Sequence, residues 1–180
     1  MEKIDIIKSI SERTGGDIYL GVVGAVRTGK STFIKKFIEN LVVPNIEDEY
    51  ERKRCLDEIP QTAQGKTIMT IEPKFVPSTA AKIKVEEFET NIKLVDCVGY
   101  VIPAAKGYED EMGEPRMVKT PWYDEDIPFV EAAEIGTEKV IRDHSTIGIV
   151  VTTDGSIGDI SRNNYLDAEN EVISELKEIG

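Results

Sequence analysis

Residues 18–31, IYLGVVGAVRTGKS, set a short β-branched run directly before a glycine-rich turn. An apolar run of this length and composition reads as a buried strand. The turn, Gly24-Ala25-Val26-Arg27-Thr28-Gly29-Lys30-Ser31, fits G-x-x-x-x-G-K-[ST] at every position. At average composition about one chain in a hundred of this size carries that string by chance. Beyond it, Phe33, Ile34, Phe37, Ile38 and Leu41 recur at helical spacing, so residues 30–42 read as an amphipathic helix that Pro44 ends. Strand, turn and helix in this order suit the chemistry of the motif. Glycines permit dihedrals that aim successive N–H groups inward, and the positive end of the helix adds to them. Gly24, Ala25, Val26, Arg27, Thr28 and Gly29 would wrap a phosphate group. Lys30 would reach the β- and γ-phosphates, the Ser31 hydroxyl would ligate Mg²⁺, and Thr32 would meet the α-phosphate.

Two further elements extend this reading. Asp96-Cys97-Val98-Gly99 is a D-x-x-G at the end of the apolar run NIKLVD. A carboxylate at a strand end beside the phosphate loop can hold a magnesium-bound water, and the Gly99 N–H can sense the γ-phosphate. Between them lies Gly65-Lys66-Thr67-Ile68-Met69-Thr70. Switch-type nucleotide hydrolases place one threonine here, its hydroxyl on Mg²⁺ and its backbone near the γ-phosphate. Thr70 is the first choice for that part and Thr67 the reserve. The order of loop, threonine and D-x-x-G resembles the translation-factor and Ras-like P-loop GTPases. Two departures stand out. Tyr100 follows the D-x-x-G where Ras-like members often carry a water-orienting glutamine. No base-reading N-K-x-D follows the later run IGIVVT before Gly180, so guanine specificity has no support in these residues.

The rest of the chain alternates in the same manner. Ile4, Ile7 and Ile10 suggest a short helix over 2–13, stopped by Gly15-Gly16. Residues 47–58 are densely charged and read as a solvated helix or loop. Residues 59–82, with Pro60, Gly65, Pro73 and Pro77, read as a long loop. IKVEEF (83–88) and NIKLVD (91–96) read as antiparallel strands joined at Glu89-Thr90. Residues 129–144 form a helix with Ala132, Ala133, Ile135, Val140 and Ile141 as its inner stripe. Residues 147–152 form a buried strand, and 162–179 a last helix carrying Tyr165, Val172, Ile173, Leu176 and Ile179. The expected fold is therefore α/β: a P-loop NTPase of the Ras-like type, mostly parallel with one antiparallel edge strand. Residues 1–180 would be one nucleotide-binding domain, C-terminally truncated, without its last strand and base-reading loop.

Composition narrows the partners. The chain of 180 residues carries a formal net charge of −12, the wrong sign for a generic binder of nucleic acid or anionic lipid. The charge is uneven: residues 1–45 hold 7 basic and 5 acidic residues, and the remainder 15 and 29. The phosphate loop thus lies in the basic part. No apolar run approaches the ~18 residues of a membrane helix, and the N-terminus lacks the apolar stretch of a secretory signal. Cys55 and Cys97 are too few for a disulfide framework, which fits a reducing compartment. His144, the single histidine, leaves no His-rich metal site.

Over essentially its whole length the chain also resembles the stage IV sporulation protein A family of spore-forming bacteria. The resemblance is carried by ERTGGDIYLGVVGAVRTGKSTFIKKF, QGKTIMTIEPKFVP, KLVDCVGY, KGYEDE, TPWYDEDIPF and EAAEIGTEKVI…HSTIGIVVTTDGSIGDI. It implies a P-loop protein of GTPase ancestry that binds and hydrolyses ATP with Mg²⁺. It further implies self-assembly into the basement layer of the spore coat, on the forespore surface in the mother-cell cytoplasm. The implied partners are further copies of itself, other coat proteins and a small membrane-anchoring peptide. Family members are much longer than this chain. Lys30, Ser31, Thr70 and Asp96 match the family's nucleotide, metal and hydrolysis residues. Where many members carry a second threonine after Thr70, this chain has Ile71.

The expected chemistry is hydrolysis of the β–γ bond. Lys30, the loop N–H groups and Mg²⁺ would absorb charge, and water would be placed by the Thr70 carbonyl and the 96–99 backbone. Arg27 is either a further charge on the phosphates or a solvent-facing side chain. Two alternatives stand beside an ATPase: a small GTPase-like switch, and a scaffold that binds nucleotide without useful turnover. The 103–127 segment, with Tyr108, Trp122 and Tyr123 among acids, is an assembly surface, a lid, or an insertion whose aromatics pack back on the domain.

Overall fold

A computed structural model gives the fold and describes residues 14–60, 71–86, 88–105, 107–156 and 158–179. The expected helix over 2–13 and the threonines Thr67 and Thr70 lie outside the described residues. Along the chain come β1 (Asp17–Val23), α1 (Lys30–Phe37), a π-turn (Ile38–Val42) and a 3-10 turn (Val43–Asn45). Next come α2 (Glu49–Asp57), β2 (Lys74–Val85), β3 (Phe88–Asp96), β4 (Met117–Thr120), β5 (Tyr123–Pro128) and α3 (Phe129–Asp143). The chain then runs through β6 (Ile147–Val150) and a 3-10 turn (Arg162–Tyr165) into α4 (Leu166–Ile179).

The main sheet has the order β2-β3-β1-β6. β1 runs parallel to β3 and β6, and β2 runs antiparallel to β3. The expected α/β architecture, mostly parallel with one antiparallel edge strand, is the one that forms. Alternation along β1 divides the core. Ile18, Leu20 and Val22 join Ile34, Ile38 and Val42 on one face. Val23 joins Val95, Val140, Ile141 and Val172 on the other. Fully burying an aliphatic side chain of this size contributes about 1.5–3 kcal/mol, so β1 and α1 are clamped at both ends of the loop between them. Gly21 belongs to this packing, because a Cβ there would lie 1.9 Å from Ser145 Oγ and 3.2 Å from Val140. α3 can come so close to β1 only above a glycine.

Three local expectations need correction. The hairpin of β2 and β3 does not turn at Glu89-Thr90, because the ladder already closes with Val85 opposite Phe88. Glu89 and Thr90 are paired in the ladder with Lys84 and Ile83, and Glu86 takes the left-handed φ of 56°. β2 also begins at Lys74, so residues 74–82 are strand rather than loop. Pro77 is accommodated because β2 lies at the sheet edge and its register shifts between Val76 and Ala81. The helix over 30–42 shifts its inner stripe by passing into the wider π-turn, which buries Val42 and leaves Leu41 54% exposed. The last helix begins as the 3-10 turn, and of its expected stripe Tyr165 and Val172 are buried while Ile173 and Ile179 are exposed.

The 103–127 segment folds back on the domain. β4 and β5 pair as an antiparallel hairpin. A Cβ at Gly136 of α3 would lie 3.2 Å from the Trp122 ring and 2.8 Å from the Ile71 carbonyl. Tyr108 packs with Ile71, Phe129, Ala132 and Ala133 and donates its hydroxyl to the Pro103 carbonyl. Tyr123 stays exposed.

Candidate active site at the phosphate loop

The site lies at the C-terminal end of β1, where the loop leaves the sheet toward α1. Left-handed or extended glycine dihedrals shape it: φ is 144° at Gly24 and 94° at Gly29. Arg27 also takes a positive φ, 62°, with its side chain exposed. Left-handed backbone is costly for a side chain with a Cβ, so the surrounding loop must hold it. Thr28 assists by donating its hydroxyl to the Ala25 carbonyl at 2.9 Å. The Phe33 N–H donates to the Gly29 carbonyl at 2.9 Å, which starts the helix at the loop's last glycine.

Lys30 lies inside this ring. It is 5% exposed, and Nζ donates to the carbonyls of Gly24 (3.2 Å) and Ala25 (2.7 Å). Burial pushes its ammonium below the usual lysine range, opposed by nearby Cys97 and Asp96. A buried cation with no carboxylate in direct contact among the described residues is poised to favour an anionic ligand, because the low local dielectric strengthens the attraction.

Asp96 ends β3 beside β1, with Val22 as its register partner. Its Oδ2 accepts the Ser31 hydroxyl at 2.7 Å, while Oδ1 is buried with no hydrogen-bond partner among the described residues. Burial pushes this carboxyl above the ordinary aspartate range, opposed first by Ser31 and then by Lys30. Lys74, the register partner of Asp96 across β2, adds a weaker opposing charge. The orphaned Oδ1 next to a serine hydroxyl is a pair of hard oxygens with spare acceptor capacity. It fits Mg²⁺, which keeps several waters and takes few carboxylates. Among the described residues no group of three or more His, Cys, Asp or Glu forms a protein-only metal cage.

Gly99 closes the arrangement. At φ 90° it presses against the loop so tightly that a Cβ would lie 2.0 Å from the Gly24 carbonyl and 2.5 Å from Lys30 Nζ. The D-x-x-G turn and the phosphate loop are therefore in direct contact. Of the expected site residues, Gly24 to Ser31, Asp96 and Gly99 converge, while Thr32 faces outward and is exposed. Thr70 and its reserve Thr67 lie outside the described residues.

Two features went unseen in the sequence. Tyr100 is bound to the loop through its backbone, with its carbonyl accepting the Val26 N–H at 2.9 Å. Its side chain turns away into the core, where the hydroxyl donates to Glu175 of α4. The segment after β6 also touches the loop, since a Cβ at Gly24 would lie 2.3 Å from the Val151 carbonyl. Glu169 of α4 anchors that segment by accepting hydrogen bonds from Thr152 and from both terminal nitrogens of Arg162. Neither contact has a local signal. A tyrosine after D-x-x-G was visible only as a departure from a pattern.

The whole chain, residues 1–180, matches the family described as stage IV sporulation protein A, ATPase domain. It is similar to stage IV sporulation protein A of Bacillus anthracis, 68% identical over 181 residues, covering 100% of this chain and 37% of that protein. The protein of the same name from Bacillus subtilis (strain 168) gives the same figures. The one from Clostridioides difficile (strain 630) is 57% identical over 176 residues, covering 97% and 36%. The chain thus spans little more than a third of the length of these relatives. No solved structure matches it at a significant level. Among the described residues no helix is long and apolar enough to cross a membrane.

Proposed function

This chain belongs to the stage IV sporulation protein A, ATPase domain family, and on that premise we propose that it binds ATP with Mg²⁺ and hydrolyses it during sporulation. The observation that carries the reading is Asp96. It shares the Ser31 hydroxyl, keeps one buried oxygen unpartnered, and stands next to a loop holding a buried ammonium. That set of groups suits a triphosphate and its cation better than it suits an empty turn, because unpaired buried polar atoms are costly.

In this reading the loop N–H groups and Lys30 bind the β- and γ-phosphates and oppose the charge that grows on the transferring group. Ser31 and Asp96, with Thr70 as the third expected ligand, would hold Mg²⁺, which would supply further charge neutralisation. The Gly99 N–H reports on the γ-phosphate, and the Thr70 carbonyl with the 96–99 backbone orients water. Tyr100 does not take the place of a water-orienting glutamine, since its hydroxyl is committed to Glu175. Turnover without a partner is then slow, on the minutes scale of unassisted switch proteins. Arg27, exposed beside the phosphate positions, adds positive charge in cis. Arg27→Ala should slow hydrolysis more than it weakens binding.

The sheet order with its antiparallel edge strand supports the Ras-like form of the P-loop fold. The family setting supports the rest: energy from ATP used for self-assembly into the basement layer of the spore coat, on the forespore surface. There the chain would meet other copies, coat proteins and a membrane-anchoring peptide.

The test is phosphate release and assembly by the full-length protein and its Lys30→Ala, Asp96→Ala and Thr70→Ala variants. The ATPase reading expects loss of release in all three and impaired assembly. Equal assembly by all variants would instead mark a scaffold without useful turnover. Efficient displacement of labelled ATP by GTP would mark a GTPase-like switch.

A further inference from the structure

The D-x-x-G turn has a permissive residue at its end. Gly99 takes φ 90° and carries no side chain to fix it, yet its Cα stands against both the Gly24 carbonyl and Lys30. A turn that must hold such a position needs an anchor from a neighbouring residue. Tyr100 is placed to provide one. Its backbone forms a parallel bridge with Ala25, and its carbonyl takes the Val26 N–H at 2.9 Å. Its ring leaves in the opposite direction, 3% exposed, among Val140, Ile141 and Val172.

Packing alone would be served by phenylalanine at this position. A phenol in the same volume costs desolvation unless its hydroxyl is satisfied. The hydroxyl is satisfied by Glu175 of α4, 75 residues away, whose other oxygen, Oε2, is buried without a partner among the described residues. Burial first of all, then the Glu175 hydrogen bond and the nearby Glu175, Glu171 and Glu138, push the phenol up and favour its protonated form. The O–H therefore donates, and the direction of the bond is fixed. One residue ties α4 to the backbone that lies against the phosphate loop.

We infer that Tyr100 is a positioning residue for hydrolysis: its hydroxyl, held by Glu175, fixes the D-x-x-G turn against the phosphate loop. The inference rests on the proposed hydrolysis, because the position it fixes is that of the γ-phosphate-sensing N–H of Gly99. It also has a consequence independent of turnover, namely the lifetime of the hydrogen bond from the Val26 N–H to the Tyr100 carbonyl.

The experiment uses the full-length protein and four variants: Tyr100→Phe, Glu175→Gln, Glu175→Leu and the Tyr100→Phe/Glu175→Leu double. Steady-state phosphate release from ATP with Mg²⁺ gives kcat and KM, and hydrogen exchange gives the protection of the Val26 amide. Small misplacements of reacting groups cost up to about 100-fold in rate. Tyr100→Phe is expected to lower kcat between about 10- and 100-fold with KM within about twofold, the mark of an interaction made in the transition state. Val26 exchange should quicken about tenfold in the same variant, as expected for losing a hydrogen bond that leaves a buried acceptor unsatisfied. Glu175→Gln keeps an acceptor and should stay near wild type. Glu175→Leu should match Tyr100→Phe, and the double variant should be no worse than either single change.

Wild-type kcat and wild-type Val26 exchange in Tyr100→Phe would overturn the inference. So would a fall in kcat accompanied by wild-type exchange at Val26, since the hydroxyl would then act elsewhere. If wild-type protein releases no phosphate, the hydrolysis reading fails separately, and Val26 exchange in Tyr100→Phe alone decides whether the hydroxyl positions the turn.

Discussion

Gly29 and Gly99 hold nearly the same left-handed φ, 94° and 90°, but differ in what surrounds them. Among the described residues nothing lies within 4 Å of a Cβ built at Gly29, whereas one at Gly99 meets the Gly24 carbonyl at 2.0 Å. Gly29→Ala should therefore cost the about 1–2 kcal/mol of left-handed strain alone. Gly99→Ala should cost clearly more, because a backbone carbonyl cannot rotate away. Urea unfolding of the two variants compares them, and equal losses would refute the contact. Cys55 offers a second residue-scale check. Burial pushes its thiol from the ordinary 9 to about 11. A raised folded value means the stabilisation is full below pH 9 and is lost as pH climbs toward 11. Native protein at pH 8.5 should resist alkylation at Cys55, and the urea-unfolded chain should react readily. At this scale the sequence spoke clearly wherever chemistry is local. Eight consecutive residues spell the phosphate loop, and a strand followed by D-x-x-G spells Asp96. The bond between Tyr100 and Glu175 was invisible because no period or spacing links residues 75 apart.

Among the elements, α1 shows what periodicity can and cannot read. A 3.6-residue period places Leu41 inward with Ile34 and Ile38. The π-turn over Ile38–Val42 widens the last turn, so the buried positions become Ile34, Ile38 and Val42. Val42→Ala should cost about 2 kcal/mol as a core truncation. Leu41→Ala should stay within about 0.5 kcal/mol, and thermal or urea denaturation separates the two. Reversed costs would return the segment to an ordinary helix. Strand β2 was hidden for a different reason. Pro73 and Pro77 are strong breakers in a central strand, but β2 lies at the edge and shifts register around Pro77. The hairpin of β4 and β5 was hidden by its acidic, exposed faces, since only one short side of it packs on α3.

For the whole molecule, acidity and anion binding coexist because they occupy different places. Residues after 45 hold 15 basic and 29 acidic side chains and so carry the acidity, while the loop presents backbone N–H groups and one buried ammonium. Nucleotide should thus bind to the folded state alone and stabilise it. At ligand one hundred times Kd the gain is about 2.7 kcal/mol, which raises the midpoint of the transition in which this domain unfolds. Thermal denaturation of the full-length protein with ATP and Mg²⁺ checks this. Chelation by EDTA should shrink the shift, and Lys30→Ala should abolish it. The α/β alternation, the mostly parallel sheet with its antiparallel edge strand and the siting of the loop were legible beforehand, because alternating strands and helices leave few ways to cover a sheet; the start of β2 and the β4–β5 hairpin were not. The seat of the β4–β5 hairpin has one further use. Trp122 is the single tryptophan of the chain. It lies between Lys139, whose ammonium stands 5.7 Å from the ring centroid, and Gly136, against which the Ile71 carbonyl also presses. Its fluorescence is consequently a built-in gauge of one junction, where α3 meets the residue that follows Thr70. Emission wavelength and quenching during a nucleotide titration would read that junction without a label.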